Sequence, residues 1–357
     1  MTFKTKYLTK NKYPYFISEI GINHNGFLNL ALKMIKYSKK AGFNAVKFQK
    51  RDIQDIINFG LKPKQSNGYL SKSESDIKKA TIKFGGWVYP DTRLELSHKD
   101  YYKIKKLCKR LKIDLIVTPW DEKSVDFLKK LGVKALKIAS IDANNYQFCE
   151  YVAKNKIPTI ISSGMCTIEE LKVTNKIFNK YKCPHMFMHC TSAYPSDETD
   201  KHLNCIPVLK KELNCEIGFS GHGRGISGSV GSIALGANVI EKHSTLNKKM
   251  LGPDHAASLE FDELKKLIDE GRKVYISMGT SKKIFRKSEK ILHSVLIKKL
   301  VARENIKKGS KLKKTDIKPV LTYSNRGYLP KEYFKILNKT AKKDLKTGHI
   351  FSNNDLK

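Results

Sequence analysis

Two histidines end neighbouring apolar segments of the chain, and their position favours a metal site. His222 follows the run Glu216–Ser220, and His243 ends the next run, Val239–His243. Two imidazoles that leave coordination positions open are typical of a catalytic divalent metal; we expect manganese, with magnesium or cobalt as alternatives. A structural zinc site is disfavoured because the sequence offers no evident third or fourth ligand.

Amino and hydroxyl groups end most of the other apolar segments. Brought together, they would form a ring of hydrogen-bond donors and positive charge, which suits a phosphate and a carboxylate on one small molecule. The predicted ring consists of Lys47, Thr118, Lys137, Ser140, Ser162 and Ser220. Glu19, in the first apolar segment, is the predicted acid–base group facing the two histidines.

Eight short apolar runs must position these residues, and they read as strands buried on both faces. They are Tyr15–Ile20, Ala45–Gln49, Asp114–Thr118, Ala135–Ile138, Thr159–Ser162, Met186–His189, Glu216–Ser220 and Val239–His243. A segment with helical spacing of apolar residues follows each run, as in Leu28–Ala41 with Gly42 as its stop signal. Eight strand–helix pairs predict an α/β fold, a (β/α)8 TIM barrel, whose functional groups lie at the C-terminal ends of the strands.

A doubly wound sheet is the rival fold, but its usual GxGxxG turn is replaced here by GINHNG. The connection 51–97 is far longer than the others, so we expect it to form a lid over the active face. The composition changes after Gly279. We therefore predict a barrel domain over residues 1–279, a charged linker over 280–294 and a small β-rich domain over 295–357.

The charge of the chain is unusual, with 69 basic against 34 acidic residues and a net charge of +35. Only eight of the basic residues are arginine and the lysines are spread from end to end, which favours a compositional bias over specific nucleic-acid binding. No run is long and apolar enough for a membrane span, and the N-terminus lacks a signal-peptide pattern. Seven scattered cysteines without a CxxC pair favour reduced thiols and a cytoplasmic location.

Eight motifs, in order along nearly the whole chain, resemble the sialic acid synthases. They are FISEIGINHNG (16–26), AVKFQ (45–49), KIASIDANN (137–145), ISSGM (161–165), HCTSAYP (189–195), GFSGH (218–222), ALGANVIEKH (234–243) and GPDHAASLE (252–260). The C-terminal segment resembles the antifreeze-like (SAF) domain of that family. The runs TSAYP, SGH, ISSGM and DHAASLE are similar to the animal-type N-acetylneuraminate-9-phosphate synthase branch.

The resemblance implies a transferase that joins phosphoenolpyruvate to N-acetylmannosamine or its 6-phosphate and releases phosphate. It implies that the predicted ring binds phosphoenolpyruvate, and that His222 and His243 hold the metal. Glu19 would contact the sugar and handle protons, with Asp142 and Tyr194 near the sugar. It also implies a domain-swapped homodimer.

One departure concerns the small domain, where many bacterial members carry a K-R-P run whose arginine reaches the partner's sugar site. Val320–Thr322 stands there in this sequence, so Arg326 is the nearest substitute. Two alternatives remain. One is a legionaminate or pseudaminate synthase acting on a diacetamido sugar, although EIGINH differs from the ELSANH of the pseudaminate branch. The other is a catalytically idle, polyanion-binding member of the fold.

Overall fold

The structure is a computed structural model that describes residues 14–52 and 94–357. The predicted lid falls mostly on residues 53–93, which lie outside the described residues. The chain divides into two compact units, with the boundary between Gly279 and Thr280. Within the described residues, no helix is long and apolar enough to cross a membrane.

The first unit is a closed barrel of eight parallel strands, as the sequence predicts. The strands follow one another around the barrel in chain order, and β1 pairs with β8 to close it. They are β1 (Tyr15–Gly21), β2 (Ala45–Lys50), β3 (Asp114–Pro119), β4 (Ala135–Ile138), β5 (Thr159–Ser162), β6 (His185–Cys190), β7 (Ile217–Gly221) and β8 (Val239–His243). Glu216, predicted to begin β7, lies just outside it.

Each strand leads towards a helix that covers the outside of the barrel. The helices are α1 (Leu28–Ala41), α2 (His98–Leu111), α3 (Glu122–Leu131), α4 (Tyr146–Lys154), α5 (Ile168–Lys180), α6 (Cys205–Leu213), α7 (Ser227–Ala234) and α8 (Phe261–Met278). Their ends carry the expected signals: Ser97 and Asp100 form a capping box at the start of α2, and Gly42 adopts a left-handed conformation after α1.

Side chains alternate along each strand, which sorts them between two layers of the barrel. Phe16 and Val46 point towards the helices and belong to the large core between sheet and helices. Ile17 and Ala45 point inward, into a smaller apolar cluster that fills the barrel. The residues two positions further along the same strands therefore also face inward, above this apolar layer.

The second unit has its own apolar core, which includes Leu300, Ile317 and Phe351. It contains the helix α9 (Glu289–Val295), the antiparallel strands β9 (Lys298–Ala302) and β10 (Ile317–Leu321), and the short helix α10 (Tyr333–Ile336). Helix α9 begins inside the segment that we predicted to be a linker. Every residue of this helix is exposed.

Candidate active site

A cavity of about 650 Å³ opens at the C-terminal end of the barrel strands. The fold brings ten of the twelve predicted site residues into its lining: Glu19, Lys47, Thr118, Lys137, Ser140, Ser162, Tyr194, Ser220, His222 and His243. Asp142 does not line it; this residue ends the one-turn helix Ser140–Asp142, where its carboxylate accepts a hydrogen bond from Asn145. Arg326 belongs to the second unit, where it is exposed.

The strand register places three of the lining residues side by side. Glu19 on β1 stands opposite Lys47 on β2 and opposite His243 on β8. Parallel pairing fixes this alignment, because a shift by one residue would turn each side chain to the other face of the sheet. An acid, a cation and an imidazole thus meet at one point of the barrel rim.

Two buried lysines form the floor of the cavity. Lys47 Nζ lies 3.2 Å from Thr118 Oγ1, and Lys137 donates to the hydroxyl of Ser162 and to the carbonyl of Ile138. Burial lowers the pKa of Lys137 to about 8, since the charged form is poorly solvated. A buried cation gains from an incoming anion, so this floor is suited to a phosphate or a carboxylate.

Two carboxylates lie beside the lysines. Lys47 Nζ is 3.0 Å from Glu19 Oε1 and 3.4 Å from Glu241 Oε1. Burial raises the pKa of Glu19 to about 7, although Lys47 opposes the shift. Burial would also raise the pKa of Glu241, but the positive charges of Lys47 and Lys137 have the larger effect and lower that pKa. The two acids therefore differ in proton affinity, as an acid–base site requires.

A glycine makes room for the first of these acids. Gly21 has φ +57°, and a Cβ atom there would lie 3.2 Å from Glu19 Oε1 and 3.3 Å from Gln49 Nε2. The Gln49 amide donates to Glu19 at 3.2 Å. A side chain at position 21 would crowd this contact and strain the backbone.

The two predicted metal ligands face each other across the upper part of the cavity, with ring centroids 5.5 Å apart. His222 Nδ1 lies 2.9 Å from the carbonyl oxygen of Thr191. A carbonyl only accepts, so Nδ1 donates to it, and Nε2 lies 3.0 Å from the Tyr194 hydroxyl. Burial would lower the pKa of His222, but the Cys190 thiol, 3.7 Å from Nδ1, outweighs burial and raises that pKa, so a cation would have to bind the ring in its deprotonated form. Burial holds the pKa of His243 well below its ordinary value, so its ring is neutral, the form that binds metals.

These residues fit a divalent cation. Four buried polar atoms around the cavity lack a hydrogen-bond partner: Glu19 Oε2, Glu241 Oε2, His243 Nδ1 and Asp254 Oδ1. Within the described residues no cluster of three or more His, Cys, Asp or Glu side chains could hold a metal, so a cation bound by the two imidazoles would need its remaining ligands from water or substrate.

Several lining residues escaped the sequence analysis. Gln49 and Glu241 lie towards the ends of β2 and β8, and neither of them is assigned a role from the sequence. Asp254, whose carboxylate lies 3.7 Å from His243 Nδ1, sits inside the quoted GPDHAASLE motif without having been singled out. The apolar part of the lining, which gave no signal in the sequence, consists of Trp120, Ala139, Ile141, Met165 and Ala193.

One strand-end histidine points away from the cavity. His189 lies on β6 with the same parity as Phe187, a residue of the outer core, and its Nε2 atom lies 2.7 Å from the carbonyl of Lys201. This ring has a structural partner and takes no part in the cavity.

Comparison with known proteins places these features in a family. The profile of the NeuB family matches residues 34–283, and that of the SAF domain matches residues 299–357. The chain is 36% identical over 355 residues to a pseudaminic acid synthase of Campylobacter jejuni, covering 97% of each chain. It is 34% identical over 332 residues to the human N-acetylneuraminate-9-phosphate synthase, covering 92% of this chain and 89% of that one.

A third relative is the N,N'-diacetyllegionaminic acid synthase of Legionella pneumophila, with 32% identity over 342 residues, 94% of this chain and 92% of the relative. Among solved structures, an N-acetylneuraminic acid synthetase from Leptospira borgpetersenii in complex with citrate superposes with a TM-score of 0.68. It is 32% identical and covers 79% of this chain and 90% of its own.

Proposed function

The chain belongs to the NeuB family and ends in a SAF domain, and from this premise we propose that it condenses phosphoenolpyruvate with an N-acylated amino sugar. The product is a nonulosonic acid, and phosphate is released. The observation that carries the proposal is that the buried pair Lys47 and Lys137 lines the same cavity as the imidazoles of His222 and His243. An anion site under a candidate metal site is what such a condensation needs.

Phosphoenolpyruvate would lie on the floor of the cavity. Its carboxylate and phosphate would take hydrogen bonds from the predicted ring, Lys47, Thr118, Lys137, Ser140, Ser162 and Ser220. Preorganised donors of this kind stabilise charge that develops on the leaving phosphate, because they need no reorientation during the reaction. The sugar would lie above, near Tyr194, with its aldehyde close to the two histidines.

His222 and His243 would hold the divalent cation, for which we propose manganese. When bound, such a cation supplies a Lewis acid that polarises the aldehyde oxygen. The Thr191 carbonyl orients the His222 ring through Nδ1, which would leave Nε2 as the donor atom, and the cation would displace the Tyr194 hydroxyl from Nε2.

Glu19 would act as the general acid and base of the reaction. The enol carbon of phosphoenolpyruvate attacks the aldehyde carbon, and the neighbouring carbon becomes electron-poor. Ionised Glu19 would take a proton from the water that adds to this carbon and pass it to the alkoxide that the aldehyde oxygen has become. The tetrahedral intermediate would give its hydroxyl proton to the phosphate as the carbon–oxygen bond to phosphate breaks, which leaves a ketone. A carboxyl pKa of about 7 suits this task near neutral pH.

The sugar is N-acetylmannosamine or its 6-phosphate on the motif resemblance, and the alternative is a diacetamido sugar, as for the legionaminate and pseudaminate relatives. We further propose a domain-swapped homodimer in which Arg326 and Asp142 approach the sugar. A cytoplasmic location is also proposed; it is supported by seven free cysteines.

The deciding experiment offers phosphoenolpyruvate with each candidate sugar and follows phosphate release. One sugar should give turnover with the parent protein, and the His243→Ala variant should give none. If the parent releases no phosphate with N-acetylmannosamine, its 6-phosphate or either diacetamido sugar, the proposal fails.

A further inference from the structure

The mouth of the cavity differs in character from its floor. Ile141 follows β4 and Met165 follows β5, and their side chains are 59% and 65% exposed while lining the cavity. Exposure of large apolar side chains to water is unfavourable in free energy, and this cost is removed when an apolar group of a bound molecule covers them. These two residues, named here the apolar rim, are therefore placed to contact a bound molecule.

The backbone of Met165 adds a second, independent observation. Met165 has φ +61°, a left-handed conformation that an unbranched side chain adopts only at a cost in energy and that glycine adopts freely. The preceding residue, Gly164, is tightly enclosed, because a Cβ atom there would lie 2.4 Å from Ser192 Oγ and 2.7 Å from Ser140 Oγ. The strained turn thus holds a large side chain at the cavity mouth, where strain is a mark of functional sites.

A polar partner lies beside this rim. The Ser192 hydroxyl packs against Gly164, lines the cavity and has only a weak contact, 4.0 Å, with Cys190 Sγ. A hydroxyl next to apolar side chains matches a substituent that has a polar amide followed by a methyl group.

The positive charges of the cavity lining also favour a neutral ligand group at the mouth. Lys47 and Lys137 are the only lysines among the described residues that line the cavity, and that lining contains no arginine. Both lysines lie on the floor, where the anionic substrate would use them. The mouth of the barrel cavity thus offers apolar contact and hydrogen bonds to a neutral group.

We propose that Ile141 and Met165 receive the methyl group of the sugar's N-acyl substituent, with the Ser192 hydroxyl at its amide. This inference rests on the proposed function and assigns to the same site a specificity-determining element. The rim selects a short, apolar acyl group and disfavours an acyl group that ends in a hydroxyl, because that hydroxyl would lose water without gaining a partner.

The test compares N-acetyl with N-glycolyl forms of the accepted sugar in the phosphate-release assay. The parent should favour the N-acetyl form, and Met165→Gln and Ile141→Asn should each lower that preference by about tenfold or more, the effect of one or two lost apolar contacts. The KM for phosphoenolpyruvate should not change. Val208→Gln, at an exposed apolar residue on α6, is the matched control.

Met165→Gly separates binding from folding. Glycine adopts the left-handed conformation without strain, so the midpoint of chemical denaturation of this variant should equal or exceed that of the parent. Its KM for the sugar should rise about tenfold, because the apolar side chain is lost. Unchanged acyl preference in all three rim variants, or a loss of stability in Met165→Gly with equal changes in both KM values, would overturn the inference. A parent protein without turnover on any sugar would instead remove the proposed function, and this inference with it.

Discussion

Lys47 Nζ lies 3.0 Å from Glu19 Oε1, with both side chains almost wholly buried. The two groups respond differently to their surroundings. Burial raises the pKa of Glu19 to about 7. Burial would lower the pKa of Lys47, but the carboxylates of Glu19 and Glu241 have the larger effect and raise it. The lysine therefore stays charged where the carboxyl group can exchange a proton near neutral pH. In the proposed reaction, Lys47 would therefore stabilise charge and Glu19 would transfer protons.

The first prediction concerns Glu19→Gln, which removes the exchangeable carboxyl group. For a base with a pKa of about 7, kcat/KM of the parent should rise as the pH is raised through 7, because only the ionised form accepts a proton. The variant should lose about 10²–10⁴ in kcat and should not show this rise. Glu212→Gln, an exposed helix residue paired with Lys172, is the control. A variant that retains the parent's pH profile would exclude Glu19 as the titrating group.

The second prediction concerns the two imidazoles. His222→Ala and His243→Ala should each weaken manganese binding by at least about 100-fold, more than loss of an outer partner costs, when binding is measured by calorimetry without substrates. A chelator should abolish turnover, and manganese, cobalt or magnesium should restore it. His293→Ala, at an exposed histidine of α9, should bind like the parent. Near-parent turnover in both cavity variants would contradict the metal assignment.

The third prediction concerns the small unit acting on a partner subunit. Arg326→Ala should raise the sugar KM and leave the KM for phosphoenolpyruvate nearly unchanged, since the guanidinium would contact only the sugar, through hydroxyls or a phosphate. A loss of about 10- to 150-fold in kcat/KM corresponds to one charge-assisted contact.

Mixed dimers test whether this contact is made in trans. His222→Ala subunits lack a working barrel, whereas Arg326→Ala subunits have an intact barrel and a defective small unit. Mixing the two should raise kcat/KM for the sugar above that of either variant alone, because one site of each mixed dimer combines an intact barrel with an intact small unit. Kinetics of the mixture equal to the sum of the separate variants would contradict action in trans.

The fourth prediction concerns the stability of the small unit. Asp355 is 2% exposed and accepts hydrogen bonds from the backbone and hydroxyl of Ser352, at 2.8 and 2.6 Å, with Lys343 Nζ 2.8 Å away. Burial alone would raise the pKa of Asp355, but these partners outweigh it and hold the pKa below its ordinary value. The folded carboxylate is thus harder to protonate than the unfolded one, so its stabilisation is present at neutral pH and is lost as the pH falls below about 4.

Asp355→Asn should lower the free energy of unfolding of the small unit by about 2 kcal/mol at pH 7 and should reduce its dependence on acidic pH. Hydrogen exchange of peptides from residues 298–357 of the full chain measures this. Asp344→Asn, at an exposed carboxylate paired with Lys307, should lose less. Equal losses for the two variants would show that the burial of Asp355 contributes nothing.

The strands and the polar residues at their ends were predictable because a parallel barrel imposes a simple pattern. Apolar runs followed by amphipathic segments identified all eight strands, and the position of Lys137 or Ser162 at a strand end was sufficient to place it on the active face. The alternation of side chains between the two faces of a strand carries one further signal. It separates the inward-facing Glu241 from the outward-facing Lys242, and it would have assigned His189 to the outer layer.

Other features have no signal in local sequence. Asp254 lies close to His243 but belongs to a loop beyond β8. Ile141, in the one-turn helix Ser140–Asp142, and Met165, in a turn, line the cavity only because the folded barrel brings the segments after β4 and β5 together. The left-handed backbone of Met165 is set by its surroundings, so a helix or strand pattern does not reveal it. Arg326 lies in the second unit, and the role proposed for it would depend on a dimer rather than on the fold of one chain.

The apolar cluster that fills the barrel below the lysines has a consequence for the order in which the proposed substrates would bind. Ile116, Ile160 and Met186 occupy the space beneath the floor, and the Tyr15 hydroxyl donates to Asp114 at the opposite end, so within the described barrel the lysines are reached from the cavity mouth. On the proposed function, phosphoenolpyruvate would have to bind first and the sugar second, because the floor lies deeper in the cavity than the sugar position. Sugar that enters an empty cavity blocks the entrance, so at high concentration it should inhibit the enzyme, and added phosphoenolpyruvate should relieve that inhibition.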